Sequence, residues 1–191
     1  MFSFLTGLHP LFVMLLFIAS LMATLLIGRP MSKQIQKLKK MGFGIIDFEL
    51  VHFRSPMVET VIGAWNKVIE TDEEGREIKG VDIARANLKL DFWFIPAYVL
   101  LFASLTLLVS LYLTGQVQSI GLWLTFAPFV AGILDIVENI FLLKMLSAFE
   151  KNQKISPNTT LTASLSAMAK FGLLIIVVLY WLIGWLICYS L

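Results

Sequence analysis

Apolar residues in this chain are gathered into four long blocks, and nearly all of the charge lies between them. The first block runs from about Pro10 to Gly28 and stops at Arg29-Pro30. The second runs from about Phe92 to Thr114 and is ended by Gly115-Gln116. The third covers about Ile120 to Met145, and the fourth runs from about Phe171 to about residue 190. Each reaches the roughly 20 residues needed to cross about 30 Å of hydrocarbon. Hydrocarbon offers no water to backbone N–H and C=O groups, so each block is expected to be a helix, which satisfies those groups within itself. The expected fold class is all-α: a polytopic membrane protein with four transmembrane helices, forming a single membrane domain over residues 1–191.

The first block reads as a retained span. No Lys or Arg precedes it, no small-residue cleavage site follows it, and Arg29, Lys33, Lys37, Lys39 and Lys40 come after it. That order is the reverse of a signal peptide's. The same charges orient the chain. Of 15 Lys and Arg, 11 lie between Arg29 and Lys89, and the others are Lys144, Lys151, Lys154 and Lys170. The positive-inside rule puts the connections 29–91 and about 146–169 in the cytoplasm, with both termini on the other side. Asn158-Thr159-Thr160 has the form of a glycosylation sequon, but this topology places it inside.

Residues 29–91 form a cytoplasmic segment that is not expected to be an independent domain. Ser32 to Met41 is basic and reads as a helical continuation or a surface helix, its lysines serving mainly as topogenic charge. Between Phe43 and Phe53 apolar and polar residues partly alternate, which suggests a short strand or extended stretch. Ser55-Pro56 is a helix-start signal. Met57, Val58, Val61, Ile62, Trp65, Val68 and Ile69 then recur at helical spacing as an amphipathic helix. Asp72-Glu73-Glu74-Gly75-Arg76 reads as a solvated turn, and from about Val81 a helix leads directly into the second span.

Composition agrees with the pattern. The chain is 58% apolar with a mean hydropathy of +0.84, and 15% of residues are charged, against about 25% in a soluble domain. A net charge of +2 with no binding motif gives no reason to expect nucleic acid as a partner. One cysteine, Cys188, excludes an internal disulfide and a cysteine-based zinc site. No phosphate-binding loop, HExxH or G-x-S-x-G is present, and His9 and His52 are expected on opposite sides. No cofactor and no metal are expected.

The sharpest chemical signal lies inside the third span. In Gly132-Ile133-Leu134-Asp135-Ile136-Val137-Glu138-Asn139, the residues Asp135, Glu138 and Asn139 are three and four apart and share one helix face. A charge near mid-bilayer costs about 2.5–3.5 kcal/mol on insertion scales, so such residues turn to the bundle interior and find partners. Asp135 lies about 22 Å along the axis from Ile120, in the inner half of the membrane. Asp91 opens the second span and Lys170 begins the fourth on that same side. Asp91, Asp135, Glu138, Asn139 and Lys170 are therefore expected to converge, with Arg85 and Lys89 a turn or two below. The cluster is either a structural ion-pair and hydrogen-bond network, or a site for a proton, a cation or a polar headgroup. Asp91, Asp135 and Glu138 also have the oxygen chemistry of a Mg²⁺ site, without a diagnostic spacing. Pro96 and Pro128 can kink the second and third spans, while Trp93, Tyr98, Trp123, Tyr180, Trp181 and Trp185 read as belt and packing residues.

Four stretches resemble a pattern in small bacterial integral membrane proteins that have no assigned function. They are Phe48-Glu49-Leu50, the Pro56-led helix with Ala64-Trp65, Leu90-Asp91-Phe92-Trp93-Phe94-Ile95-Pro96-Ala97-Tyr98, and Ala131 to Asn139. The resemblance covers roughly residues 45 to 145 and implies the four-helix topology and a bacterial inner membrane. Four-helix sterol-isomerase-like proteins are a looser analogy, since their signature residues are not matched here. The leading expectation is an accessory subunit or lipid-binding scaffold, with membrane lipid and a protein partner or second copy of the chain as partners. The alternatives are an enzyme on a lipid-like substrate, with Asp135 or Glu138 as general acid or base, and a proton- or cation-coupled transporter.

Overall fold

The computed structural model describes residues 3–53, 58–71 and 77–190. In chain order the elements are α1 (Ser3–Thr6), α2 (Pro10–Lys39), α3 (Ile45–Glu49), α4 (Val58–Trp65), β1 (Val68–Thr71), β2 (Glu77–Lys79), α5 (Gly80–Leu111), α6 (Gly115–Leu124), α7 (Ala127–Glu150) and α8 (Pro157–Ser190). Four helical stretches are long and apolar enough to cross a membrane: Pro10–Lys39, Gly80–Leu111, Gly115–Glu150 and Pro157–Ile187. The chain is an all-α polytopic protein with one small hairpin, in which β1 and β2 pair antiparallel with Val68 opposite Lys79 and Thr71 opposite Glu77.

Three helices are longer than the apolar blocks predict. α2 runs through Arg29-Pro30 to Lys39, so the basic stretch is a continuation of the helix. Pro30 has no N–H for the Leu26 carbonyl, and α2 tolerates the missing bond. The left-handed Gly42 (φ 105°) then follows the helix end, a conformation that favours glycine. α5 starts at Gly80, which puts Pro96 in mid-helix, and α8 starts at Pro157, well before the apolar block. The third span is interrupted instead. Thr125 closes α6, its N–H and Oγ1–H both donating to the Gly121 carbonyl at 2.9 and 3.0 Å. Pro128, in the first turn of α7, has no N–H for the Leu124 carbonyl, so the helical ladder breaks and restarts here.

The segment between the first two spans departs from the expected elements at two points. The partly alternating stretch 43–53 holds the short helix α3, not a strand. Asp47 Oδ2 accepts the Gly44 N–H at 2.8 Å, half of a capping box that starts a helix where alternation suggests extension. Val68 and Ile69 belong to β1, so the amphipathic helix ends at Trp65. The Ser55-Pro56 start signal, Met57 and the acidic turn 72–76 lie outside the described residues, as does the side chain of Cys188.

The chain divides into two compact units. The first comprises Met1–Leu26, Phe94–Ile133 and Ala169–Leu191. Its apolar contacts group Val13 with Leu107 and Leu122, and Ile95 with Tyr98 and Val99. Its hydroxyls turn back onto their own helices: Ser20 donates to Phe17 O, Thr24 to Ser20 O, Ser104 to Leu100 O and Thr106 to Phe102 O. That is how a hydroxyl is accommodated where water is absent. Between helices, Trp181 Nε1–H donates to Thr106 Oγ1 at 2.9 Å, and Ser110 Oγ lies 3.1 Å from the Tyr180 hydroxyl. Gly121 packs where any Cβ would collide with both Ser110 and Tyr180.

The second unit comprises Ile27–Trp93 and Leu134–Met168. Its core gathers Leu38, Phe48, Val61, Ile62, Trp65, Leu88, Leu142, Met145, Leu146 and Ala163. The buried residues of α4 (Val58, Val61, Ile62 and Trp65) are the predicted stripe, turned onto the protein itself. Ser164 Oγ–H donates to Glu49 O at 2.8 Å, and the same oxygen accepts the His52 N–H at 3.2 Å, which ties the loop after α3 to α8.

Candidate functional site

The polar stripe of α7 is buried and lies in line with core residues. Asp135, Glu138 and Asn139 are 4%, 0% and 1% exposed, and one and two turns further along the same face Leu142, Met145 and Leu146 lie in the core. The helical period that aligns the carboxylates therefore continues into the residues that hold the second unit together. On the opposite face, Ile136 and Ile140 are exposed.

Asp91, half-buried on α5, meets this stripe directly. Asn139 Nδ2–H donates to Asp91 Oδ2 at 2.7 Å. The short distance is that of a bond strengthened by charge. One turn earlier on α5, the buried Asn87 side chain donates to Met31 O at 3.3 Å and to Gln34 Oε1 at 3.0 Å on α2. Asn87 and Asp91 are four residues apart and share a face, so α5 offers one amide and one carboxylate, each bonded to a different helix. Asn87 is absent from the sequence-based set of site residues, although its spacing from Asp91 was the available signal.

The predicted residues are not all placed alike. Asp91, Asp135, Glu138 and Asn139 belong to the second unit. Lys170 belongs to the first, where it is buried with its Nζ 5.0 Å from the centroid of the Phe171 ring. Arg85, expected a turn or two below the cluster, pairs with the end of α7: Nη2 lies 2.5 Å from Glu150 Oε2 and Nη1 donates to Ser147 Oγ at 3.5 Å. Among the described residues no three His, Cys, Asp or Glu side chains are grouped to hold a metal ion, so Asp91, Asp135 and Glu138 do not assemble as a Mg²⁺ site.

Two open grooves lie in the second unit. The larger, of ≈ 450 Å³, runs along the outward face of α7 and is lined by Ile140, Leu143, Lys144, Ser147, Ala148, Lys151 and Gln153. The smaller, of ≈ 360 Å³, lies where the end of α2 meets β1 and is lined by Lys37, Lys40, Met41, Lys67, Val68 and Ile69.

No protein-family model, curated protein or solved structure matches the chain. Fold and geometry alone define its class: a small polytopic helical membrane protein with a partly buried carboxylate–amide contact between two of its long helices.

Proposed function

We propose that the chain is a non-catalytic integral membrane protein, an accessory subunit or lipid-binding scaffold, whose polar stripe organises its helices. The observation that carries this reading is the Asn139–Asp91 hydrogen bond, made by residues whose helix face continues into the core. Polar side chains join membrane helices in this way, at about 0.6 kcal/mol per bond on average. The basic connections support a cytoplasmic location for residues 29–91 and 146–169 with both termini outside, in a bacterial inner membrane. Membrane lipid, together with a protein partner or a second copy of the chain, is the partner this role calls for.

The test is the double variant Asp135→Asn with Glu138→Gln, compared with wild type by thermal melting in mild detergent and by native mass spectrometry. The scaffold reading expects a lower melting temperature or loss of assembly, with the same co-purifying species as wild type. A variant that stays folded but loses a defined bound molecule would overturn it. That outcome would favour an enzyme in which Asp135 or Glu138 moves a proton, or a carrier.

A further inference from the structure

The groove on the outward face of α7 changes character along its length. Ile140 and Leu143 line one end, and Lys144, Ser147, Lys151 and Gln153 line the other. Ile136 precedes them on the same face at 39% exposure, and Ile140 is 40% exposed. α7 belongs to a stretch long and apolar enough to cross a membrane. The point where its exposed face turns from isoleucine to lysine therefore marks the hydrocarbon boundary. From Lys144 to Lys151 is about 10 Å along the helix, close to the roughly 5–8 Å of headgroup region on each side of the hydrocarbon.

The charge at this end is one-sided. Glu150 is the single acidic residue between Ile140 and Ser156, and Arg85 holds its carboxylate. That ion pair balances the one negative charge in this stretch of α7 and the turn after it, while Lys144 and Lys151 stand on the groove wall. Lys144 Nζ is 4.8 Å from the centroid of the Phe141 ring, an approach that holds the ammonium near the helix surface. Ser147 and Gln153 add hydrogen-bonding groups between and beyond the lysines.

We infer that this groove is a binding site for an anionic phospholipid of the basic-side leaflet. The phosphate sits between Lys144 and Lys151, the headgroup hydroxyls face Ser147 and Gln153, and one acyl chain lies along Leu143, Ile140 and Ile136. A free phosphate would use the lysines but not the apolar end, and a zwitterionic lipid would bring its own cation to the lysines. The groove occupies the face of α7 opposite to Asp135, Glu138 and Asn139, so the inference does not rest on the role of that stripe.

The test uses the full-length protein in phosphatidylcholine nanodiscs doped with phosphatidylglycerol, read by native mass spectrometry after release. The variants are Lys144→Gln, Lys151→Gln and their combination, with Lys144→Arg/Lys151→Arg as the charge-preserving form. Lys37→Gln/Lys40→Gln, in the other groove, controls for general charge. Each α7 lysine removed is expected to lower retained phosphatidylglycerol about fivefold, while the arginine form and the control pair retain it. Melting temperature read alongside confirms that these exposed substitutions leave the fold intact. Equal retention of phosphatidylcholine and phosphatidylglycerol by wild type would overturn the inference, as would an equal loss in the control pair. Loss of lipid here with an unchanged Asp135→Asn/Glu138→Gln profile separates this site from the stripe.

Discussion

The Trp65 indole Nε1–H donates to the Phe43 carbonyl at 3.0 Å, so the last residue of α4 is pinned to the loop that precedes α3. The ring is fully buried and meets Phe48 edge-on at 5.2 Å between centroids. Trp65→Phe keeps most of the ring and leaves the Phe43 carbonyl without its donor, a loss of about 1–3 kcal/mol. Trp65→Ala removes the ring as well and should cost about 3–5 kcal/mol. Denaturant unfolding in detergent should rank the two in that order; equal effects would mean that the ring's packing adds nothing, and a neutral Trp65→Phe that the hydrogen bond contributes nothing.

The Asn139–Asp91 contact invites a double-mutant cycle. Asn139→Ala, Asp91→Ala and the pair should show a coupling of about 0.6 kcal/mol, with roughly 1.7 kcal/mol as the ceiling for membrane helices. Additive effects would mean that each side chain matters through burial alone.

These two contacts differ in how readable they were. The Asp135, Glu138 and Asn139 face is visible in sequence because charge inside an apolar block is conspicuous, and the spans are visible because hydrocarbon demands length. The amphipathic face of α4 is legible for a related reason, its apolar residues recurring at a single period. Trp65's acceptor is not legible: a backbone carbonyl 22 residues away has no side-chain signature. The hairpin was hidden because Val68 and Ile69 happen to continue the helical spacing of Val61, Ile62 and Trp65. Over so few residues the two periods cannot be told apart, and only the β-branched run Val68, Ile69, Thr71 favours a strand. α3 was hidden because one capping contact, Asp47 to Gly44, outweighs a weak alternation. Arg85's choice of Glu150 over the stripe depends on where two helix ends meet, which no local pattern records.

Gly121→Ala should be disproportionately damaging. The added Cβ meets the Tyr180 hydroxyl and Ser110 Oγ, which are already engaged with each other, and Tyr180 also donates to Val117 O at 3.3 Å. Overpacking of this kind costs about 1–3 kcal/mol. Tyr180→Phe in the same background removes the hydroxyl and should recover part of the lost melting temperature. Absence of recovery would place the strain elsewhere.

Asn87→Leu retains approximate size but removes both amide bonds to α2, leaving Gln34 Oε1 and Met31 O without that donor. A loss of about 1–3 kcal/mol is expected, and Asn87→Ala should do no better. A neutral result in thermal melts would show that Gln34 finds water instead.

Topology can be read with single cysteines in a Cys188→Ser background, since Cys188 is the sole native cysteine. Gln36 and Gln116 are both exposed. Gln36→Cys should react with an impermeant maleimide only after the membrane is opened, and Gln116→Cys in intact cells. The opposite pattern would invert the orientation.

The Asp91–Asn139 bond joins residues 48 apart in the chain. At about 5–20 residues per second, a ribosome delivers Asn139 roughly 2–10 s after Asp91. For that interval α5 has emerged and its amide donor from α7 does not yet exist. The nascent carboxylate, at the basic end of its span, can stay with headgroups and water until α7 arrives. α7 thus closes a contact that α5 opened seconds earlier, and a chain cut anywhere between them would enter the bilayer with that contact permanently unmade.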